Sequence, residues 1–150
     1  MGFDEAFKFV MKWETTKFTN RPSDRGGPTC CGVTQKTYNS YRKKKNLHQK
    51  SVEFITPDET HEIYETEYWN AFKTWGLDDK LWFAAFNDAV MSGATQAGGL
   101  IKLCHKDVKT FLGLQEHFYH RIVEHDPGQQ VNLQGWLNRL NDLRKVLGVS

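Results

Sequence analysis

Two carboxylic acids, Glu14 and Asp24, stand at the start of a turn-rich segment that follows the first predicted helix. A pair of carboxyl groups can cleave a glycosidic bond when one is protonated and the other is ionised. The chemistry that this pair could perform is therefore glycoside cleavage, with Glu14 as the proton donor.

The spacing of apolar residues predicts where Glu14 lies. Apolar side chains recur at helical intervals from Phe3 to Met11, and Glu14 takes the next place on the same stripe. Partial burial and the negative end of the helix dipole should both raise the pKa of this carboxyl group. The alternative is that Glu14 lies at the rim of the helix, in water or paired with Lys12 or Lys17.

The segment from Thr15 to Thr34 is rich in glycine, proline and threonine, which predicts a structured loop or a small hairpin. Such a loop could bring Asp24 back over Glu14. The hydroxyl groups of Thr29 and Thr34 could then hold a water molecule between the two acids. Ser-Asp before Gly-Gly is also common in ordinary turns, so Asp24 as a simple turn cap stays open.

The motif around these residues resembles the N-acetylmuramidases of glycoside hydrolase family 108, which are lysozyme-like enzymes of phages and bacteria. Similarity continues in the Tyr68-Trp69 pair, in the run from Phe86 to Gly93 and in the Gly135 to Arg139 run. The resemblance implies a lysozyme-like α domain, Glu14 as the catalytic acid and peptidoglycan as the substrate. The residues that carry the first motif are Glu14, Asn20, Asp24, Gly26, Gly27, Thr29, Gly32, Val33 and Thr34.

This chain departs from the family pattern at three positions. Thr15 and Thr16 stand where the family has two glycines, and Met91 stands where an asparagine is expected. Threonine loses much of the backbone freedom of glycine, so the cleft could be narrower or the turn different. A relative that binds the cell wall, or a virion component, without cleaving it is therefore an alternative.

Three residues are candidates for substrate binding besides Thr34. Tyr64 and Tyr68 share one face of a predicted helix and could stack on sugar rings, although core packing is the commoner role at this spacing. Asn87 lies on the central helix and could reach an amide of the substrate or make a hydrogen bond at the helix rim. The run from Trp136 to Arg139 is expected to pack the last helix onto the domain, with glycan contact as the alternative.

Helical periodicity and capping signals predict a mainly α fold of about seven helices, with at most a small β-hairpin near residues 18–34. A capping box with Pro57 at the first helical position starts the third helix. The chain of 150 residues suits one domain, with helices near 109–150 packed on the rest. The predicted helices run from 4 to 14, 35 to 44, 57 to 72, 79 to 91, 95 to 104, 109 to 125 and 133 to 147.

Charge is unevenly distributed. Residues 1–50 carry eleven Lys and Arg against four Asp and Glu, which gives +7, whereas residues 51–100 carry two against nine, which gives −7. The basic run from Arg42 to Lys45 could attract an anionic cell wall, could bind nucleic acid, or could be a solvated helix end. Since no nucleic-acid motif accompanies it, nucleic acid is not expected as a partner.

The sequence gives little support for cysteine chemistry, a bound metal or a membrane segment. The three cysteines do not suggest a disulfide framework or a nucleophile beside a histidine, and no metal or organic cofactor is implied. The longest apolar run is too short to span a bilayer, and the N-terminus lacks the pattern of a secretory signal.

The sequence therefore predicts a monomeric muramidase that cleaves the β-1,4 bond between N-acetylmuramic acid and N-acetylglucosamine, where the substrate and the linkage come from the resemblance. The catalytic candidates are Glu14, Asp24 and Thr29. A lytic transglycosylase, which would not use Asp24, is the alternative reaction. The protein is expected to be made in a bacterial cytoplasm and to reach the wall through a holin or a phage particle.

Overall fold

The computed structural model describes residues 1–14, 18–20 and 26–150. Within these residues the fold is mainly helical, with seven α-helices and one small antiparallel sheet. The α-helices are α1 Phe3–Trp13, α2 Gln35–Lys44, α3 Pro57–Ile63, α4 Asp79–Ser92, α5 Ala94–Leu103, α6 Val108–His125 and α7 Gln130–Leu147.

The predicted third helix is continuous but not uniform. The capping box at Thr56 and Glu59 starts α3, and the chain then widens into a π-helical turn over Tyr64–Trp69 and tightens into a 3-10 turn over Asn70–Phe72. Such π turns often lie at functional sites. Here the turn contains Tyr64 and Tyr68.

The sheet has three strands, whereas the sequence predicted at most one small hairpin. Strands β1 Phe18–Thr19, β2 Thr29–Cys30 and β3 Val33–Thr34 pair in that order, with Thr29 opposite both Thr19 and Thr34. Thr34 ends β3 and caps α2, since its side chain accepts a hydrogen bond from the Thr37 amide. The sheet thereby connects the end of α1 to the start of α2.

Helix α4 lies at the centre of the fold, as its apolar composition predicts. Eight of its residues are buried, including Phe83, Phe86 and the polar pair Asn87 and Asp88. Helices α1, α5 and α6 all pack against it. The buried residues of α6 and α7 belong to the same core, so α7 can bring side chains next to those of α1.

Candidate active site

A cleft of about 550 Å³ opens where α1 ends. Its walls come from the end of α1, the β2–β3 region, the last turn of α4 and the middle of α7. Tryptophan, threonine and glycine residues contribute to the lining, so the cleft combines apolar and polar groups, as ligand sites usually do. The described lining residues are Trp13, Glu14, Gly26, Thr29, Gly32, Thr34, Val90, Met91, Gly135, Trp136 and Arg139.

Glu14 is the residue that ends α1. Its amide still donates to the Val10 carbonyl at 2.9 Å, but its backbone has turned to an extended conformation. The side chain is 22% exposed, which agrees with the partial burial that the apolar stripe predicts. The sequence alternative of a pair with Lys12 does not fit, because Lys12 donates instead to Asp142 at 2.8 Å.

Glu14 is held by an arginine that the sequence did not assign to the site. Arg139 Nη1 donates to Glu14 Oε1 at 2.8 Å, and the arginine side chain is only 6% exposed. Arg139 Nε donates to Asn87 Oδ1 at 2.9 Å. Two different nitrogens of one buried guanidinium group therefore connect Glu14 to the central helix.

A tight turn between β2 and β3 lies against the Glu14 side chain. Cys31 and Gly32 both have positive φ, at 57° and 77°. A Cβ at Gly32 would overlap the Tyr64 hydroxyl and would lie 3.0 Å from Glu14 Cδ. Glycine is therefore required here both by the backbone conformation and by the close approach of the acid.

Tyr64 holds this turn in place through a hydrogen bond to its backbone. The side chain is fully buried, and its hydroxyl donates to the Cys31 carbonyl at 2.6 Å. Burial, with the neighbouring charge of Glu14 as a smaller cause, raises the pKa of Tyr64 well above its ordinary value. The predicted stacking of sugars on Tyr64 does not fit this position, because no ring face is exposed.

The other predicted binding residues lie at different depths. Thr29 and Thr34 line the cleft, with the Thr29 hydroxyl donating to the Gly27 carbonyl at 2.9 Å and that of Thr34 to Thr37 Oγ1 at 3.1 Å. Tyr68 is partly buried beside Tyr64, and burial raises its pKa. Asn87 is fully buried, so it contacts Arg139 rather than the open cleft.

Asp24, Thr15 and Thr16 lie outside the described residues. The role of Asp24 therefore stays a prediction. Among the described residues that line the cleft, Glu14 is the only carboxylic acid.

Two tryptophans, Trp13 and Trp136, also line the cleft. Trp13 precedes the acid, and its indole Nε1 donates to Asp142 Oδ2 at 2.8 Å. Trp136 lies one helical turn before Arg139, and its ring packs 5.3 Å from that of Tyr119. Both side chains are partly exposed; for Trp136 packing was the expected role and glycan contact the alternative.

Three of the four cations in the basic run at the end of α2 form ion pairs within the fold. Arg42 pairs with Glu59 at 2.9 Å, and Lys44 pairs with Glu67 at 3.1 Å. Lys45 pairs with Glu62 at 2.6 Å. The opposite charges of the first and second fifty residues thus meet along one face, which weakens the case for this run as a patch that attracts the cell wall.

The remaining alternatives concern cysteine chemistry and the membrane. Cys30 is buried, and burial together with its hydrogen bond to Cys31 raises the pKa of its thiol to about 11. A thiol with this pKa is a poor nucleophile at neutral pH. Among the described residues, no helix is both long and apolar enough to cross a bilayer.

A mainly helical, lysozyme-like fold carries a carboxylic acid at the edge of a cleft lined by tryptophan and threonine, which is a kind of site that glycoside cleavage can use. The family model for glycosyl hydrolase 108 matches residues 7–93, which is more than half of the chain. The chain therefore belongs to the glycosyl hydrolase 108 family, as the motif around Glu14 predicted.

The structural comparison covers nearly the whole chain. The solved structure of Brucella abortus SagA matches with a TM-score of 0.75 at 18% identity, covering 96% of this chain and 92% of that one. This likeness shows the fold. Comparison with curated proteins finds no sequence match. Helix α7 and Arg139 lie beyond the residues that the family model matches.

Proposed function

We propose that the protein is an N-acetylmuramidase that hydrolyses the β-1,4 bond between N-acetylmuramic acid and N-acetylglucosamine in peptidoglycan. The observation that carries this proposal is that Glu14 is the only carboxylic acid among the described residues of the cleft. Its place at the end of α1, inside the residues that match the family, supports the proposal.

Glu14 acts as the general acid. Its proton passes to the O4 oxygen of N-acetylglucosamine as the bond from that oxygen to C1 of N-acetylmuramic acid breaks. The electron pair of the broken bond stays with the departing oxygen, so positive charge develops at the sugar ring. A water molecule supplies the hydroxyl group that ends on C1.

Asp24 is assigned one of two roles: it activates the attacking water, or it stabilises the positive charge that develops on the sugar ring. As a base it accepts the proton that the attacking water loses; as an ionised neighbour it stabilises the oxocarbenium-like transition state. Thr29 and Thr34 line the same cleft and are assigned to ordering the water. Each of these roles follows from residue chemistry and from the family motif.

The aromatic walls fit a chain of amino sugars. Sugar rings carry apolar faces with polar rims, and tryptophan offers a large apolar face with one donor. We assign the faces of Trp13 and Trp136 to sugar contact, because both line the cleft beside Glu14. Delivery to the wall, through a holin or a phage particle, completes the proposal.

Product analysis tests the reaction. Purified peptidoglycan is digested and the released muropeptides are analysed by mass spectrometry. Hydrolysis at the proposed bond gives saccharides with N-acetylmuramic acid at the reducing end. Products lighter by one water would instead show a lytic transglycosylase, and N-acetylglucosamine at the reducing end would contradict the assigned bond. Wall binding without any product would favour a binding module.

A further inference from the structure

We propose that Arg139 is a positioning residue that, supported by Asn87, holds Glu14 in the orientation required for proton donation. This inference rests on the proposed role of Glu14 and extends it to helix α7. Arg139 acts through Glu14 and is not itself assigned a reacting atom.

Glu14 requires an anchor from outside its own helix. It is the first residue beyond α1, so its backbone is no longer fixed by the helical hydrogen bonds of the following turn. A free glutamate side chain samples several rotamers, and only those that point at the glycosidic oxygen are productive. Orientation of reacting groups is one of the largest contributions to enzymatic rates.

Arg139 supplies this anchor from helix α7. Its Nη1 binds Glu14 Oε1, so that oxygen is already occupied by a donor. We assign the transferred proton to Oε2, the carboxyl oxygen that Arg139 does not bind.

Asn87 fixes the guanidinium group in turn. Its Oδ1 accepts from Arg139 Nε at 2.9 Å, and its own position is fixed because it is fully buried on the central helix. A lysine could not satisfy both partners in this way, since its single ammonium group lacks the two separated donors of arginine. Asn87 on α4 thus holds Arg139, and Arg139 holds Glu14.

The described side-chain partners of Arg139 are Glu14 and Asn87. Its Nη2 atom is buried and makes no hydrogen bond to any described residue, so the group is not embedded in a wider ion-pair network. Burial of an arginine with one unsatisfied donor is energetically costly. A role in the site explains why the residue is buried here better than a contribution to stability does.

The test is a kinetic comparison of Arg139→Ala, Arg139→Lys and Asn87→Ala with the unchanged protein, using a soluble peptidoglycan fragment. We expect Arg139→Ala to lower kcat at least ~10-fold with little change in KM, because orientation and not binding is lost. Arg139→Lys should recover part of kcat, and added guanidinium ion should raise kcat of the alanine variant. Asn87→Ala should show a smaller fall of the same kind.

Arg144→Ala is the matched control. Arg144 also lies on α7 and also pairs with a glutamate, Glu116 at 2.9 Å, but its pair is more exposed and does not line the cleft. Its removal should leave kcat unchanged. Circular dichroism melts of all variants separate a loss of folding from a loss of rate.

The outcomes separate this inference from the proposed function. A folded Arg139→Ala protein with unchanged kcat overturns the positioning role, even if Glu14→Gln is inactive. If Arg139→Ala fails to fold, unchanged kcat in a folded Asn87→Ala protein overturns it. Full activity in Glu14→Gln overturns the proposed function itself.

Discussion

Arg139 and Glu14 are separated by 125 residues in the chain, yet Nη1 of the arginine lies 2.8 Å from Oε1 of the acid. The contact brings the last helix to the end of the first one, with the central helix beneath both. The cleft is therefore complete only when α7 is in place. A protein truncated before α7 would lose Arg139 and one of the two tryptophan walls together.

Gly32→Ala should severely reduce activity. The new methyl group would overlap the Tyr64 hydroxyl and press on Glu14, and the positive φ of 77° adds backbone strain. Peptidoglycan clearing should fall together with the melting temperature. Gly76→Ala is the control, because Gly76 has a similar φ of 68° with open space around it. That variant should lose about 1 kcal/mol of stability and keep its activity. Equal activity in the two variants would contradict the close fit of the turn against Glu14.

Asp88→Asn should change how stability depends on pH. Asp88 is fully buried, neither carboxyl oxygen has a hydrogen bond to a described residue, and burial raises its pKa from 3.8 to about 7. Since the folded protein then holds a proton that the unfolded chain has lost, stability falls as the pH rises from 3.8 to about 7.

The full loss is on the order of 4 kcal/mol, because each pKa unit corresponds to about 1.4 kcal/mol. The asparagine variant should melt like the unchanged protein near the low end of this range and at a higher temperature above it. Parallel melting curves across the range would show that Asp88 is not the titrating group.

Trp136→Ala should weaken substrate binding more than it slows catalysis. Trp136 lines the cleft beside Arg139, and loss of its ring removes apolar contact with a sugar in both the ground state and the transition state. We expect KM to rise about tenfold, since one aromatic contact contributes roughly 1 to 2 kcal/mol. Trp75→Ala provides the control, because Trp75 is 37% exposed and lines a different groove. An unchanged KM in the Trp136 variant would remove this residue from the substrate site.

The sequence predicted the helices because their signals are local. The capping box at Thr56, the proline at position 57 and the glycine at 148 each fix a helix end by contacts within a few residues. The partial burial of Glu14 was predicted in the same way, from its place on an apolar stripe. These elements depend on spacing that can be counted along the chain.

Arg139, in contrast, could not be assigned from sequence. Its role arises from a contact between the two ends of the chain, and an arginine within an amphipathic helix is ordinarily exposed. For Tyr64 the sequence left two roles open, core packing as the commoner one and sugar stacking, and the structure shows the core position. Its helical spacing showed which face it shares with Tyr68, but not that the β2–β3 turn covers it through the Cys31 carbonyl.

Asp24→Asn should distinguish the two reactions that the carboxyl pair could serve. If Asp24 activates water or stabilises the transition state, hydrolysis should fall by about 10² or more, as expected for loss of a general base. Asp58→Asn, at the exposed start of α3, is the control and should retain activity. Unchanged turnover by the Asp24 variant, with products lighter by one water, would show that Glu14 works alone as in a transglycosylase.

The most direct test of the central claim is the rate at which Glu14→Gln releases reducing sugar ends from purified peptidoglycan, compared with the unchanged protein. Glutamine keeps the size of the side chain and an oxygen that can accept from Arg139, but it cannot donate a carboxylic proton. We predict a fall of about 10² to 10⁴ in rate, the range expected for loss of general acid catalysis, with the melting temperature little changed. Reducing ends released equally fast by the folded variant would contradict Glu14 as the catalytic acid.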